Sequence, residues 1–422
     1  MNTRFVNVEL VRNFLKHLPS ARKKKNLYIS DFKPELLENA VRRAIRDVPF
    51  YKDYDKYIED GFDIKKLPII TKANIQGHSS ELVSKRIPSW RRVLKGTSGS
   101  TGLPLDVYYS PKIFFEKDII VNSLFDSFGK HLRIGILRGD RVKGDGIVSY
   151  KGCKKWVFSS YRLCEAELDK YIDEMKRLRI NVLHVYPSAV TVFARLIKKR
   201  YGVSPLNIKG IFSSSESFDP NDKRFVMSVF PDAKFIDGFG QNELCCFGSA
   251  EGMGHFRFYQ NYGYCELRPT GEKTPAGNDI CEIVATSIMN TTMPFIRYAT
   301  RDNVEVDSQG NILRILGRSS DFVVNTEGQL QPCIFLESPG SLENVTNFQF
   351  WQPEKGVMIF RVVVNKEFTE SERRQIVADL SKSFGASMRC DCQIVDAIAK
   401  GKNGKQKRLQ QDIDIDPFRK NI

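Results

Sequence analysis

The stretch Ile180-Asn181-Val182-Leu183-His184-Val185-Tyr186-Pro187-Ser188 decides the fold. Its β-branched run predicts a strand that ends near Tyr186, and Pro187 then opens a long helical pattern closed by Lys198-Lys199-Arg200-Tyr201-Gly202. A basic last turn followed by glycine marks a helix end, because glycine accepts the left-handed cap conformation. The unit then repeats. Ile208 to Ser213 reads as a strand, Asp219-Pro220 opens a helix through Phe230, and Lys234 to Gly238 reads as the next strand. Strands alternating with helices predict an α/β sheet, and such sheets bind ligands at the carboxyl ends of their strands.

Beyond Gly317-Arg318 the pattern changes. Asn347 to Gln352 and Val357 to Val364 read as strands, Glu370 to Phe384 as a helix and Met388 to Ile394 as a further strand. Thr369 and Glu372 have the spacing of a capping box at that helix start. The expected architecture is therefore α/β: a large multi-layer N-terminal domain of mixed sheets and helices over 1–318, hinged near Ser319 to Asp321 to a small α+β C-terminal domain over 319–422. At the other end Val6, Leu10, Val11, Phe14, Leu15 and Leu18 form one helical stripe followed by Arg22, Lys23, Lys24 and Lys25. Such a helix docks on its own domain or lies on an anionic membrane surface, so peripheral membrane association is a secondary expectation.

Composition narrows the class. With 422 residues and 41% hydrophobic side chains the chain can bury a sizeable core, which excludes disordered and fibrous proteins. The apolar stretch from Ile113 to Phe128 is broken by Glu116, Lys117, Asp118 and Asp126, and no other run approaches the roughly 18 residues of a spanning helix. Arg4, Glu9 and Arg12 interrupt the amino terminus where a secretory signal would be apolar, so the expected location is cytoplasmic. Nine cysteines scattered from Cys153 to Cys392 read as reduced thiols. The 65 basic residues against 50 acidic ones give a charge of +15, which suits acidic partners such as nucleotides, coenzyme A or an anionic glycan. A sequence pI near 9.3 also raises nucleic-acid binding as a rival class. No nucleic-acid reading motif is recognised, so nucleic acid is not an expected partner.

Six stretches carry candidate chemistry. Gly96-Thr97-Ser98-Gly99-Ser100-Thr101-Gly102-Leu103-Pro104 lies between apolar Val93-Leu94 and the strand-like Leu105 to Tyr109. Its glycines let backbone amides turn toward a phosphate and its hydroxyls add donors, although a plain turn has the same composition. It lacks the Gly-Lys-Ser/Thr ending of a Walker loop. Ser213-Ser214-Ser215-Glu216 ends a strand and leaves room for a flat ring, while Asp237-Gly238-Phe239-Gly240-Gln241-Asn242-Glu243 offers an aromatic face and a carboxylate. Glu243 suits magnesium, which needs one or two carboxylates beside phosphate oxygens. In Arg297 to Asp302, Asp302 can accept from two ribose hydroxyls or form a surface ion pair with a neighbouring arginine. Leu316 to Asp321 lies at the expected hinge, and Gly401 to Arg408 is a cationic glycine loop.

In this order the six resemble the signatures of the adenylate-forming superfamily, which includes the acyl-CoA synthetases. The likeness is to its branch of phenylacetate-CoA ligases and CapK-type capsular polysaccharide biosynthesis proteins. Val48-Pro49-Phe50-Tyr51, Leu67 to Lys72 and Tyr186-Pro187-Ser188 extend it over nearly the whole chain. The resemblance implies that Thr97, Ser98, Gly99, Ser100, Thr101 and Gly102 hold the β- and γ-phosphates of ATP. It makes Ser214, Ser215 and Glu216 the adenine-pocket motif and sets Phe239, followed by Gly240, against the adenine. It implies that Glu243, preceded by Asn242, is the magnesium carboxylate, that Asp302 and Arg318 serve the ribose, that Ser320 and Asp321 form the hinge and that Lys405 is the catalytic lysine.

The implied cofactors are ATP and magnesium, and the implied partners are a small carboxylic acid and an acceptor, either coenzyme A or a sugar or amine. The implied reaction makes an acyl-adenylate with loss of pyrophosphate, then transfers the acyl group as AMP leaves, the small domain rotating between the steps. Asn242 stands where threonine is usual, Ser100 replaces a commoner threonine and the hinge reads Ser-Ser-Asp, all polar exchanges. Relatives in this branch can carry a Cys/His zinc site after the glutamate motif. Here Cys245, Cys246, His255 and Cys265 are irregularly spaced, so buried thiols and a satisfied histidine are expected and zinc is not. Cys390 and Cys392 alternate on a strand and are expected to pack on one face.

Overall fold

The computed structural model describes residues 26–96, 105–138, 142, 146–152, 154–274, 276–318, 322–332, 342, 344–400 and 406–414. The expected basic helix of residues 5–18 lies outside the described residues. Helix α1 (Pro34–Asp47) buries Leu37, Ala40, Val41 and Ala44, the spacing of one helical face, and starts on a proline whose fixed φ suits a first turn. Strands β1 (Val93–Gly96) and β2 (Asp106–Tyr109) pair antiparallel, with Gly96 opposite Asp106. Helix α2 (Pro111–Ser123) follows, and the Ser110 hydroxyl accepts from the Ile113 amide at its start.

The strand-helix pattern read from Ile180 onward sits inside a longer series: β3 (Ile134–Leu137), β4 (Val148–Gly152), β5 (Lys155–Phe158), α3 (Leu168–Arg177), β6 (Val182–Val185), α4 (Pro187–Tyr201), β7 (Gly210–Ser214), α5 (Pro220–Val229) and β8 (Lys234–Gly240). Gly202 ends α4 at φ +77°, its amide bonded to the Lys198 carbonyl, and Asp219 caps α5. These strands lie in the order β8-β7-β6-β3-β5-β4. β6 pairs parallel with β3 and with β7, β3 pairs parallel with β5, and β4 closes the edge antiparallel to β5. Leu183, Val185 and Ile211 from the strands meet Val190, Phe193, Val226 and Val229 from the helices in one core. A Cβ on Gly210 would fall 2.3 Å from the Phe128 ring, so only glycine fits at the start of β7.

Next come β9 (Phe247–Glu251) and β10 (Arg257–Phe258), an antiparallel pair, and then the meander β11 (Gly263–Lys273), β12 (Asp279–Ser287), β13 (Tyr298–Val306) and β14 (Ile312–Arg318). β15 (Phe322–Val324) and β16 (Leu330–Pro332) form a small hairpin. The C-terminal part contains β17 (Val345–Gln352), β18 (Val357–Val364), α6 (Glu370–Phe384), β19 (Arg389–Ile394) and β20 (Leu409–Gln411), with strand order β19-β18-β17-β20. Phe350, Met358, Phe360 and Val362 pack there with Ile376 and Leu380 of α6. The capping box is present: the Glu372 amide donates to Thr369 Oγ1 at 3.2 Å and the Thr369 amide to Glu372 Oε2 at 2.8 Å. Cys392 joins this core and Cys390 packs against it, as expected. The fold is thus mixed α/β with a small α+β C-terminal domain.

The chain forms two compact units. The first comprises Met1–Ser127, Gly238–Ala250 and His255–Arg314, and the second Phe128–Asp237, Glu251–Gly254 and Ile315–Ile422. In the second unit the buried Arg195 of α4 donates to the carbonyls of Leu342 (2.7 Å) and Val345 (2.9 Å) and pairs with Asp222 at 3.0 Å. One arginine thereby satisfies backbone groups that burial would otherwise leave unpaired. Among the described residues no helix is long and apolar enough to cross a membrane.

Candidate functional site

In the first unit the stretch from Gly238 builds one wall. Sequence reading ends the strand at Gly238 because glycines break strands, but β8 continues through Gly240 and the loop begins only at Gln241. Phe239, half-buried, meets the Phe258 ring edge-on at 6.1 Å. Two residues quoted in no motif fix the loop. The Tyr109 hydroxyl donates to the Asn242 carbonyl, and Asn290 Nδ2 donates to the carbonyls of Glu243 (3.2 Å) and Met293 (2.9 Å). Burial, helped by Glu243, Cys245 and Asp118, pushes the Tyr109 pKa up, so its hydroxyl stays a donor. Leu244 adopts φ +54°, strained for a branched side chain. The result is a half-buried Glu243 carboxylate on a loop braced from both sides.

Asp302 reaches the same unit from far along the chain. Strand β13 carries extra residues opposite the step from Glu282 to Val284, and Arg301 within that bulge has φ +63°. A bulge re-aims the side chains around it. Asp302 is buried, accepts from Gln241 Nε2 at 2.5 Å, and its amide donates to Thr300 Oγ1 at 3.1 Å. It is therefore an interior group, not one at the surface. Gln241 is the bridge that sequence reading quoted without assigning a role; a polar side chain beside the glutamate was its one visible signal.

In the second unit the hydroxyl motif ends β7. Ser213 Oγ donates to Asp237 Oδ1 at 3.3 Å, and Lys223 Nζ lies 3.8 Å from Asp237 Oδ2. Ser215 has φ +76° and its hydroxyl lies 3.5 Å from that of Ser214. Glu216 turns inward, where Oε2 accepts the Ser188 amide at 3.0 Å in the first turn of α4, a favoured place for a carboxylate. The motif Tyr186-Pro187-Ser188 and the hydroxyl motif are thus one structural piece. Gly317, at φ +98°, would set a Cβ 3.2 Å from Ser217 Oγ, so the backbone before Arg318 runs beside the same motif. The Arg318 side chain, Thr97, Ser98, Gly99, Ser100, Thr101, Gly102, Ser320, Asp321 and Lys405 lie outside the described residues.

Asp237 gives a pH prediction. Burial pushes its pKa from 3.8 up to about 6, against the attraction of Lys223 and the Ser213 bond. The folded value lies above the unfolded one, so the stabilising contribution is full below pH 3.8 and is lost as pH rises through about 6. That amounts to roughly 3 kcal/mol between those limits. Urea midpoints from pH 4 to 7 should fall less steeply for Asp237→Asn than for the parent protein; parallel slopes would exclude this carboxyl as the source.

The cysteines after the glutamate motif are buried as expected. Cys245 donates to Gln241 Oε1 at 3.2 Å and Cys246 and Cys265 lie 3.1 Å apart at sulfur, with burial raising the Cys245 and Cys246 thiols. His255 differs from expectation, being exposed. Among the described residues no group of three or more His, Cys, Asp or Glu is arranged to hold a metal ion.

Comparison with known proteins adds a second line. The CapK C-terminal domain family matches residues 330–412. Protein CapK of Staphylococcus aureus is 24% identical over 371 residues, covering 82% of this chain and 79% of that protein. Phenylacetate-coenzyme A ligase of Aromatoleum evansii is 25% identical over 315 residues (69% and 70% covered), and that of Pseudomonas putida 21% over 386 residues (83% and 86%). Among solved structures, 2-hydroxyisobutyryl-CoA ligase in the postadenylation state with R3-HIB-AMP superposes with TM-score 0.64 at 15% identity, covering 92% of this chain and 90% of that one. At that identity the likeness is one of fold.

Proposed function

We propose, from the premise that this chain is a homologue of CapK and the phenylacetate-CoA ligases with an adenylate-forming fold, that it is an ATP-dependent carboxylate ligase. It activates a carboxylic acid as acyl-AMP with release of pyrophosphate and passes the acyl group to an acceptor. The observation that carries this reading is Asp302 brought to Gln241, across 61 residues of chain, beside the braced Glu243. Attack of a carboxylate on the α-phosphorus brings anions together, so the site must supply positive charge and alignment. Phe239 is proposed to face the adenine, Asp302 and Arg318 the ribose, Ser214 and Ser215 the adenine edge, and Thr97 to Gly102 the outer phosphates. Gly240 and Asn242 form the backbone on either side of Gln241. Ser320 and Asp321 are proposed as the hinge between domains 1–318 and 319–422.

A single half-buried carboxylate fits magnesium, which takes most of its remaining ligands from phosphate and water, so Glu243 would hold it. When bound, the ion neutralises phosphate charge. Glu243→Gln is expected to raise the magnesium concentration for half-maximal rate about tenfold, the loss of one charge-assisted contact of about 1.5 kcal/mol. Full activity at limiting magnesium would remove Glu243 from that role.

The acceptor divides two readings. The resemblance of the six stretches to CapK-type capsular polysaccharide biosynthesis proteins favours transfer to a sugar hydroxyl or amine in surface polysaccharide synthesis, with the cytoplasm as the proposed location. Two relatives named phenylacetate-coenzyme A ligase favour coenzyme A. The +15 charge suits either anionic partner. A pyrophosphate-release screen over aryl, fatty, amino and uronic acids, each with and without coenzyme A, tests both. Thioester formation would select the second reading, and silence from every acid would overturn the ligase reading. The N-terminal stretch of residues 1–25, with its apolar stripe and basic cluster, is proposed as a contact for anionic membrane, readable by vesicle co-sedimentation with and without those residues.

A further inference from the structure

Arg138 follows β3 directly, at the carboxyl end of a strand with neighbours on both sides. Its NH1 donates to His184 Nε2 at 3.0 Å and its NH2 to Ser215 Oγ at 3.0 Å, while the guanidinium lies 5.1 Å from the centre of the Tyr186 ring. Every one of these partners is neutral. His184 is half-buried, and burial, then Arg138, Lys155 and Lys151, push its pKa well down, so it stays neutral and accepts the arginine's hydrogen bond. Arg138 Nε is buried with no hydrogen-bond partner. A guanidinium presents donors in a planar fork that matches a carboxylate, and leaving one buried and unpaired is unfavourable. Three other arginines each meet a carboxylate, Arg195 with Asp222 at 3.0 Å, Arg297 with Glu266 at 2.9 Å and Arg314 with Glu305 at 2.6 Å, whereas Arg361, whose Nε is also buried and unpartnered, bonds the neutral Gln410 and lies over the Trp351 ring. Among the described residues Arg138 has no such carboxylate.

The charge is therefore set up for an anion that comes from outside the chain. β3 lies two strands from β7, roughly 10 Å across the sheet at the usual spacing, on the side away from β8. Arg138 thus approaches Ser215 from the flank opposite the strand that leads to Phe239. The proposed phosphate contacts belong to Thr97 to Gly102, a different part of the chain. We propose that Arg138 is a specificity-determining residue that receives a second carboxylate, at the far end of the acid, so that the substrate is a dicarboxylic acid. This rests on the ligase reading and extends it to a substrate class. Lys151 and Lys155 add to the positive field around His184 and so favour the same anion.

The test uses the full chain with succinate, glutarate, adipate and the three benzenedicarboxylates, each beside its monomethyl ester, which keeps one carboxylate for activation. Calorimetric titration and pyrophosphate release are run on the parent protein, Arg138→Met and Arg138→Lys. At least one diacid should bind the parent about 10- to 100-fold more tightly than its ester, Arg138→Met should erase that preference, and Arg138→Lys should restore part of it. ATP affinity should change far less than diacid affinity, since Arg138 touches the adenine-edge motif only through Ser215 Oγ, with thermal melting confirming the fold. If no diacid is preferred over its ester, or if Arg138→Met weakens ATP by the same factor, the proposal is wrong, and in the second case the arginine serves a phosphate. Pyrophosphate release without any diacid preference would sink this inference and keep the ligase. A diacid preference lost in Arg138→Met with no pyrophosphate from any acid would do the reverse.

Discussion

Replacing Lys405 with alanine should lower acyl-adenylate formation about 10²- to 10³-fold, the range seen when one transition-state donor is removed. The reason is electrostatic. Adenylation moves negative charge onto the bridging oxygen as pyrophosphate departs, and a lysine at that oxygen acts only while the charge develops, which raises kcat without tightening ground-state binding. Lys405 is proposed for that place through its match to the superfamily's carboxy-terminal lysine. The described residues on either side of it are anchored in the second unit. Lys400 Nζ donates to the Ser160 carbonyl and lies 5.5 Å from the Tyr161 ring, and Arg408 pairs with the buried Asp219 at 2.7 Å. Lys400 is also drawn toward Glu216, although burial lowers its pKa to about 8. The decisive readout is a split between steps. Transfer from chemically supplied acyl-AMP should proceed at the parent rate in Lys405→Ala, because the lysine serves only the first step. An unchanged adenylation rate would remove Lys405 from the mechanism, and equal loss in both steps would point to a structural defect.

Much of the fold was legible because local chemistry and tertiary role agreed. The strand-helix series from Val182 to Gly240 announced itself through Pro187, Gly202 and Asp219, residues that act within their own turn. The capping pair Thr369 and Glu372 did the same for α6. The antiparallel meander from Gly263 to Arg318 gave no such signal. Every residue of β12 from Ile280 to Ser287 is buried, so the inside-outside alternation that identifies a half-exposed strand is missing. Pro269 and Gly271, inside β11, read as breakers but fall where its register shifts. Helix α1 carries its signal in period alone, with Leu37, Ala40, Val41 and Ala44 on one face and no side-chain cap to mark its start.

The site divides the same way. Glu243, Asp302 and the Ser214-Ser215-Glu216 run are candidates by residue type and by the resemblance of their order to the superfamily's signatures. The groups that position them are not, since their partners lie far away in sequence: Tyr109 is 133 residues from Asn242, and Asn290 is 47 from Glu243. Glu216 shows the limit of motif reading. Its carboxylate holds the start of α4, so part of the motif's use is to join two segments of this chain. Positive φ at Ser215, Leu244 and Arg301 places strained backbone in or beside three of the six stretches, a pattern that spacing alone does not reveal.

Asp302→Ala should raise the ATP concentration needed for half-saturation about 100-fold or more while leaving the rate at saturation far less affected. Two ribose hydroxyls donating to one buried carboxylate would contribute about 1.5 to 3 kcal/mol each, and 1.4 kcal/mol is a factor of ten in affinity. A ribose contact would be the same before and at the transition state, so its loss would be uniform and fall on KM more than on kcat. Asp302→Asn should show a smaller loss, since the amide oxygen still accepts but without charge. Gln241 donates its amide to Oδ2 at 2.5 Å, which orients the carboxylate. Gln241→Leu should therefore weaken ATP as well, by less than Asp302→Ala, and the two losses should not add when combined, because both act through the same carboxylate. Calorimetric titration of ATP needs no knowledge of the acid, so the outcome is independent of substrate identity. Unaltered ATP affinity in Asp302→Ala would show that this carboxylate does not meet the nucleotide, and additive losses in the double variant would show that Gln241 acts elsewhere.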